Sequence, residues 1–319
     1  MGTFIHALLE VVEYAVHGGG EMVVNLCLED GLVLWNFTLR IEGIEYGEMI
    51  HRLFSHLIEV YSRDMKNFAV VMSILDAYFY LGKEYFVQSY QDALREMYSL
   101  LLDVVSNKEI SRLATSIHTV LLLFPREGTF VVQSVLEKIV PILLYREKAD
   151  SNGALSESVY VSYLLIVGQV LINGEGMQLL GYLCNGLQVG RGCCRRSVAG
   201  AENFFAALLS SFLRSFDSAG GGAIGYVRRS LFVKCMLLCI LSGGESLLEL
   251  LEQVTDCFIN VMSEMEVGEE KMRLLFSEKN MGRTDKLSNE YLRQFIAQTN
   301  VQNSFKMFLS VLFLCSGKV

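Results

Sequence analysis

Apolar residues recur at helical spacing in one segment after another, and none of these segments can bury its stripe alone. In the run Leu28 to Arg40, which holds the chain's only tryptophan, Leu32, Trp35 and Leu39 fall at i, i+3 and i+7. Asp30 is a good N-cap for this helix, which should end before Gly43. Met49, Ile50, Leu53, Phe54, Leu57, Ile58 and Tyr61 form a second stripe. Phe68, Val71, Met72, Leu75, Tyr78 and Phe79 form a third, after a cap at Asp64 and before a stop at Gly82. Trp35 reads as core before it reads as a binding anchor, because it shares its stripe with two leucines.

The pattern continues along the chain. Phe4 to Val16 reads as a helix stopped by Gly18-Gly19-Gly20. Val87, Tyr90, Leu94, Met97, Leu101 and Val104 alternate by three and four, and Asn107 is expected to cap a partner helix with the stripe Ile110, Leu113, Ile117, Val120 and Phe124. A helix over Arg126 to Tyr145 contains Pro141, which removes a hydrogen bond and should kink it. Ser156 caps a helix to about Ile172, and Gly174-Glu175-Gly176 turns the chain into another that ends near Leu187. Hairpin starts at Tyr46, Glu84 and Arg126 lie 38 and 42 residues apart, near the roughly 40 to 47 of HEAT-type repeats. The spacing predicts an all-α chain, a right-handed α-solenoid of HEAT-type helical hairpins.

A hydrophobic fraction of 52% and a mean hydropathy of +0.36 require a membrane reading to be tested. It fails on run length. A spanning helix needs ~20 predominantly apolar residues, whereas Val159 to Ile172 and Leu231 to Leu241 are shorter and carry Gln169 and Lys234. Hydrophobic helices inside a stack are buried on much of their circumference and explain the composition equally well. Only two prolines and little β-type alternation fit the all-helical reading. A net charge of −8 disfavours nucleic acid and suits a basic protein ligand.

The usual catalytic and metal-binding constellations do not occur in the sequence. None of His6, His17, His51, His56 and His118 sits in HExxH, and His51 and His56, five apart, fall on different sides of one helix. GxSxG and GxGxxG are missing, and Gly18 to Gly20 follows a helix instead of a strand. The eight cysteines include no CxxC pair; Cys193-Cys194 are adjacent and Cys235 and Cys239 sit one turn apart, so buried, reduced thiols are expected before zinc. No catalytic residue, cofactor or metal site is expected.

Two stretches interrupt the stripes. Residues 188–200 are rich in glycine and carry Cys193, Cys194, Arg191, Arg195 and Arg196, a solvated loop or a phosphate site without P-loop spacing. Farther on, Glu264, Glu266, Glu269 and Glu270 precede Lys271 and Arg273. Read plainly this is a charged loop between helices; read more sharply it is a contact for a basic partner, since clustered carboxylates focus potential. The expected organisation is hairpins over 1–187, the Gly/Arg/Cys loop 188–200, further helices over 201–265, a charged loop 266–285 and C-terminal helices 286–319.

The run Glu29-Asp30-Gly31-Leu32-x-Leu34-Trp35-x-x-Thr38-Leu39 resembles a hallmark of the importin-β superfamily, nearest to its importin-eleven branch. Leu57-Ile58-Glu59, Phe86-Val87-Gln88-Ser89-Tyr90, Pro141 and Leu292-x-x-Phe295-Ile296 resemble the C-terminal half of that branch in the same order, over roughly Met22 to Phe308. The resemblance implies a non-catalytic nuclear transport receptor shuttling between nucleus and cytoplasm. Such a receptor binds protein cargo, crosses the pore on Phe-Gly repeats and releases cargo when GTP-bound Ran binds. Ran-binding repeats lie in the family's N-terminal half, which has no counterpart in this sequence, so Ran enters only if that half is present. The alternative is a HEAT-repeat scaffold uninvolved in transport.

Overall fold

A computed structural model describes residues 2–63, 65–144, 155–174, 199–243, 245–275, 286–299 and 304–309, and these are helical with no strand among them. They divide into two compact units, one of Met1–Val105 with Arg283–Ser288 and one of Ser106–Gly282 with Asn289–Val319.

The first unit contains α1 (Gly2–Glu13), a π-helical turn (Tyr14–Gly18), α2 (Gly20–Thr38), α3 (Glu48–Arg63), α4 (Phe68–Ser89) and α5 (Gln91–Val104). Its core forms where the three expected stripes meet. Leu32, Trp35, Leu53, Phe54, Leu57, Leu75 and Tyr78 are all fully buried. Trp35 meets Tyr78 edge to face, and Tyr78 donates its hydroxyl proton to the Ile50 carbonyl at 2.7 Å, which joins α4 to α3. Arg40, just past the end of α2, reaches α4 through the Ser73 carbonyl at 3.0 Å and the Ser73 hydroxyl at 2.8 Å.

Several helix boundaries differ from the expectations. Asp30 is not an N-cap: α2 starts at Gly20, whose φ of +75° suits glycine, and Asp30 lies exposed in mid-helix. Gly31 supplies the reason, since a Cβ there would stand 2.8 Å from the Ala15 Cβ. The π-turn and α2 cross at that glycine, and close packing outweighs the local capping preference of Asp30. The stop at Gly82 is present as a break within α4, where Lys83 adopts φ 47°, ψ −139°. Asp64 lies outside the described residues, and Asn67 precedes α4.

The second unit contains α6 (Asn107–Leu123), α7 (Pro125–Val131), α8 (Gln133–Leu144), α9 (Glu157–Ile172), α10 (Ala199–Ser215), α11 (Gly222–Gly243), α12 (Leu251–Leu275), α13 (Lys286–Gln298, from Asn289 onward) and a helical stretch over 304–309. Ser106, not Asn107, caps α6: its backbone N–H and its hydroxyl both donate to the Glu109 carboxylate, at 3.0 and 2.8 Å. The single helix expected over Arg126 to Tyr145 is two, parted at Val132, with Pro125 opening the first and Pro141 inside the second. Pro at the first helical position costs no hydrogen bond, which explains why the chain restarts there.

Helix α9 is the apolar run that raised the membrane question, and it is buried on every side from Val159 to Leu171. It packs on α6, α8, α10 and α11 as the central element of the unit. The polar residues that interrupt the two apolar runs are both engaged at the end of α13. Gln169 donates to the Gln298 side-chain oxygen at 2.6 Å and to Asn173 at 2.9 Å, while Lys234 donates to the Gln298 carbonyl at 3.0 Å. Cys235 and Cys239 are fully buried, and burial pushes both thiols up from their ordinary value, as expected of inert core cysteine. The helix ending near Leu187 and the arginines of 188–198 lie outside the described residues. No helix among the described residues is long and apolar enough to cross a membrane.

Candidate functional site

The acidic stretch expected as loop begins as helix, because α12 continues through Leu275. Glu264 sits on it half-exposed, in an ion pair with Arg229 of α11 at 2.5 Å. Arg229 is mostly buried and also donates to the Gly220 carbonyl ahead of α11. Glu264 therefore neutralises a buried guanidinium within the fold, and removing it would strand that charge. Glu266, Glu269 and Glu270 follow on the same helix, and their side chains lie outside the described residues.

Exposed apolar side chains recur on one side of α2. Met22, Leu26, Val33 and Phe37 lie within one narrow stripe of the helix and are exposed by 74, 74, 39 and 68%. The opposite stripe, Leu32, Trp35 and Leu39, is the buried one, so α2 is apolar on two faces and only one is covered. The exposed residues form two apolar pairs, Met22 with Leu26 and Val33 with Phe37, separated by the exposed Glu29 on the same side of the helix.

A third cluster joins three elements of the first unit. His17 lies in the π-turn, Glu13 ends α1, and Arg52, His56 and Glu59 come from α3. The two imidazole rings stack with centroids 4.0 Å apart. His17 Nδ1 is 3.1 Å from Glu59 Oε2, and His56 Nε2 is 3.8 Å from Glu13 Oε1, whose carboxylate also accepts from Arg52 at 3.1 and 3.2 Å. Burial, and after it the neighbouring His17, lowers the His56 pKa from its ordinary value, so this imidazole is neutral near pH 7. One ligand atom from each of His17, His56 and Glu59 lies within 4.8 Å of the other two. Spacing rules missed the group because His17 and His56 are far apart in sequence; only His56 and Glu59, at i and i+3, leave a local trace.

His51 and His56 point to different surroundings, as their five-residue spacing implies: His51 meets the Tyr46 hydroxyl at 2.9 Å and packs at a tilt against the Tyr85 and Tyr90 rings. His118 is buried in the second unit, bonded through Nδ1 to the Tyr291 hydroxyl at 2.9 Å. Desolvation, and then the charge of Arg228, pushes it down to about 3, so it stays a neutral structural imidazole.

Stacked antiparallel helices with an apolar seam in each unit and polar contacts at the helix ends define a helical-repeat protein. The family profile described as "Importin-11-like, TPR repeats" matches residues 2–302, and the chain belongs to that family. The description names its repeats TPR where the spacing suggested HEAT, and both names denote stacked helical hairpins. Neither a curated protein nor a solved structure matches the chain significantly. The Glu29 to Leu39 run that carried the resemblance is a packing motif: Gly31 permits the helix crossing, and Leu32, Trp35 and Leu39 fill the core.

Proposed function

We propose that the chain acts as a nuclear transport receptor of the importin-eleven type, binding protein cargo without catalysis and shuttling between cytoplasm and nucleus. The observation that carries this reading is membership of the importin-11-like family along residues 2–302. Helical repeats suit the task because each hairpin packs mainly on its neighbours, leaving an extended surface that flexes and so favours one ligand over another. Phe-Gly repeats are proposed to seat their phenyl rings on the exposed stripe of α2. Glu266, Glu269 and Glu270, with Glu264 beside them, are proposed to face a basic cargo, in keeping with the net charge of −8. Ran-dependent release is proposed only where this chain is joined to N-terminal Ran-binding repeats.

Retention of the purified, folded chain on immobilised Phe-Gly repeat peptides tests the reading. Retention supports transport, and failure of a demonstrably folded chain favours a scaffold that never enters the pore. The acidic contact has its own test. Glu266→Gln, Glu269→Gln and Glu270→Gln together, with Glu264 left in place to hold Arg229, should weaken binding of a basic cargo and flatten its salt dependence. Unchanged affinity removes those residues from the cargo surface.

A further inference from the structure

We propose that His17, His56 and Glu59 form a binding site for a divalent transition-metal ion of the zinc class. Two imidazoles and one carboxylate are a donor set that zinc accepts, and three protein ligands leave its fourth position to water. In this chain the three come from two elements that fold together: His17 from the π-turn after α1, and His56 and Glu59 from successive turns of α3. A π-turn inserts an extra residue into a helix and re-aims the side chains around it. Here it sets His17 flat against His56, with centroids 4.0 Å apart.

The donor types and their proximity support the site. The three ligand atoms lie within 4.8 Å of one another, whereas ligands of a tetrahedral zinc at about 2.0 to 2.2 Å stand about 3.4 Å apart. Closing on an ion therefore asks for shifts on the order of 1 Å and for the exposed His17 ring to swing out of its stack, because imidazole lone pairs lie in the ring planes and near-parallel rings do not aim at one point. Two of the three can turn, since the His17 and Glu59 side chains are exposed by 49 and 46%. The third ligand, His56, is more buried, its side chain exposed by 13%. Its Nε2 faces the Glu13 carboxylate at 3.8 Å, and its Nδ1 is buried without a hydrogen-bond partner. At 3.8 Å no hydrogen bond joins Nε2 to Glu13; an approach of under about 1 Å would place the carboxylate behind the imidazole, the arrangement that fixes the tautomer of a metal-binding histidine. Arg52, bonded to both oxygens of Glu13, holds that carboxylate in place. Without an ion the same group is an awkward assembly, two stacked imidazoles with one buried ring nitrogen unanswered. With an ion, that arrangement gains a partner.

Titration calorimetry of the full chain with zinc chloride, after alkylation of its reactive thiols, tests the site, and so does its melting temperature with and without zinc. The expected result is one ion bound per chain and a melting temperature that rises with zinc concentration, because the ion binds only the folded state. His17→Gln and His56→Asn should each weaken binding at least about tenfold, the lower end of what disturbing a metal site costs. His6→Gln, which alters the exposed His6–Glu10 pair on α1, should leave binding unchanged. His17→Gln is the variant to weigh most, since a half-exposed side chain can be changed without unfolding the chain; its circular dichroism should match the parent. Absence of binding by the parent chain, or zinc affinity that survives both the His17 and the His56 substitution, overturns the proposal. These outcomes are independent of retention on Phe-Gly peptides.

Discussion

Trp35 is the largest fully buried side chain of the first unit and joins α2 to Tyr78 of α4. Trp35→Ala should destabilise the chain by about 3 to 5 kcal/mol, the cost of removing a buried aromatic and leaving a cavity. Urea unfolding measures it, and a near-neutral result would place the indole outside the core. His118 makes a different kind of prediction. Its folded-state pKa lies at about 3, below an unfolded value of about 6.5, so as pH falls below that unfolded value only the unfolded chain takes up the proton. The stability contributed by the neutral imidazole is complete above about pH 6.5 and is lost progressively toward pH 3, with a slope approaching 1.4 kcal/mol per pH unit. His118→Gln keeps a partner for Tyr291 and should remove that part of the slope, read as the difference between parent and variant unfolding at pH 7, 6 and 5. Neither the burial of His118 nor its partner 173 residues away was legible in the sequence, where it stood as one histidine without a motif.

At the level of elements, the stripes were legible because helical spacing records which face is buried, and most members of the expected α3 stripe and every member of the α4 stripe are buried. Boundaries were legible only where a local preference met no opposition. Ser156 precedes α9 as expected, whereas Asp30 lost to the tight crossing at Gly31, a contact between segments that no local rule contains. The charged stretch after Met265 misled for another reason. A helix needs an apolar stripe to be buried, not to exist, and Glu, Met, Lys, Arg and Leu are all strong helix formers, so α12 extends to Leu275 without one. Lys83 offers the sharpest test at this scale. A side chain at φ 47°, ψ −139° is strained in a way glycine is not. Lys83→Gly should raise stability by about 1 kcal/mol, whereas Lys83→Val should lower it, both read from thermal unfolding. A Gly variant less stable than the parent would mean that the break in α4 costs the lysine nothing.

For the molecule as a whole, family and fold class were legible because the Glu29 to Leu39 run and the hairpin spacing report the same stacked helices, one through identity and the other through period. What stayed hidden were surfaces assembled from distant segments, the His17, His56 and Glu59 group foremost. The exposed stripe of α2 gives the molecular-scale prediction. Leu26→Glu with Phe37→Glu should change stability by no more than about 0.5 kcal/mol, since both side chains already face water, while retention on Phe-Gly peptides falls. Retention unaffected by the pair would take the proposed Phe-Gly contact off α2. One further property follows from Cys235 and Cys239, sealed among α9, α10 and α11 without solvent exposure. A thiol reagent reaches them only during an opening of the second unit's core, so their alkylation rate in native buffer equals the intrinsic rate scaled by the opening equilibrium. Exposed Cys27 on α2 reacts without any opening and supplies the reference rate. Mass spectrometry of timed alkylation would thus count how often the centre of the second unit comes apart in the native protein, a clock for its breathing that needs no denaturant.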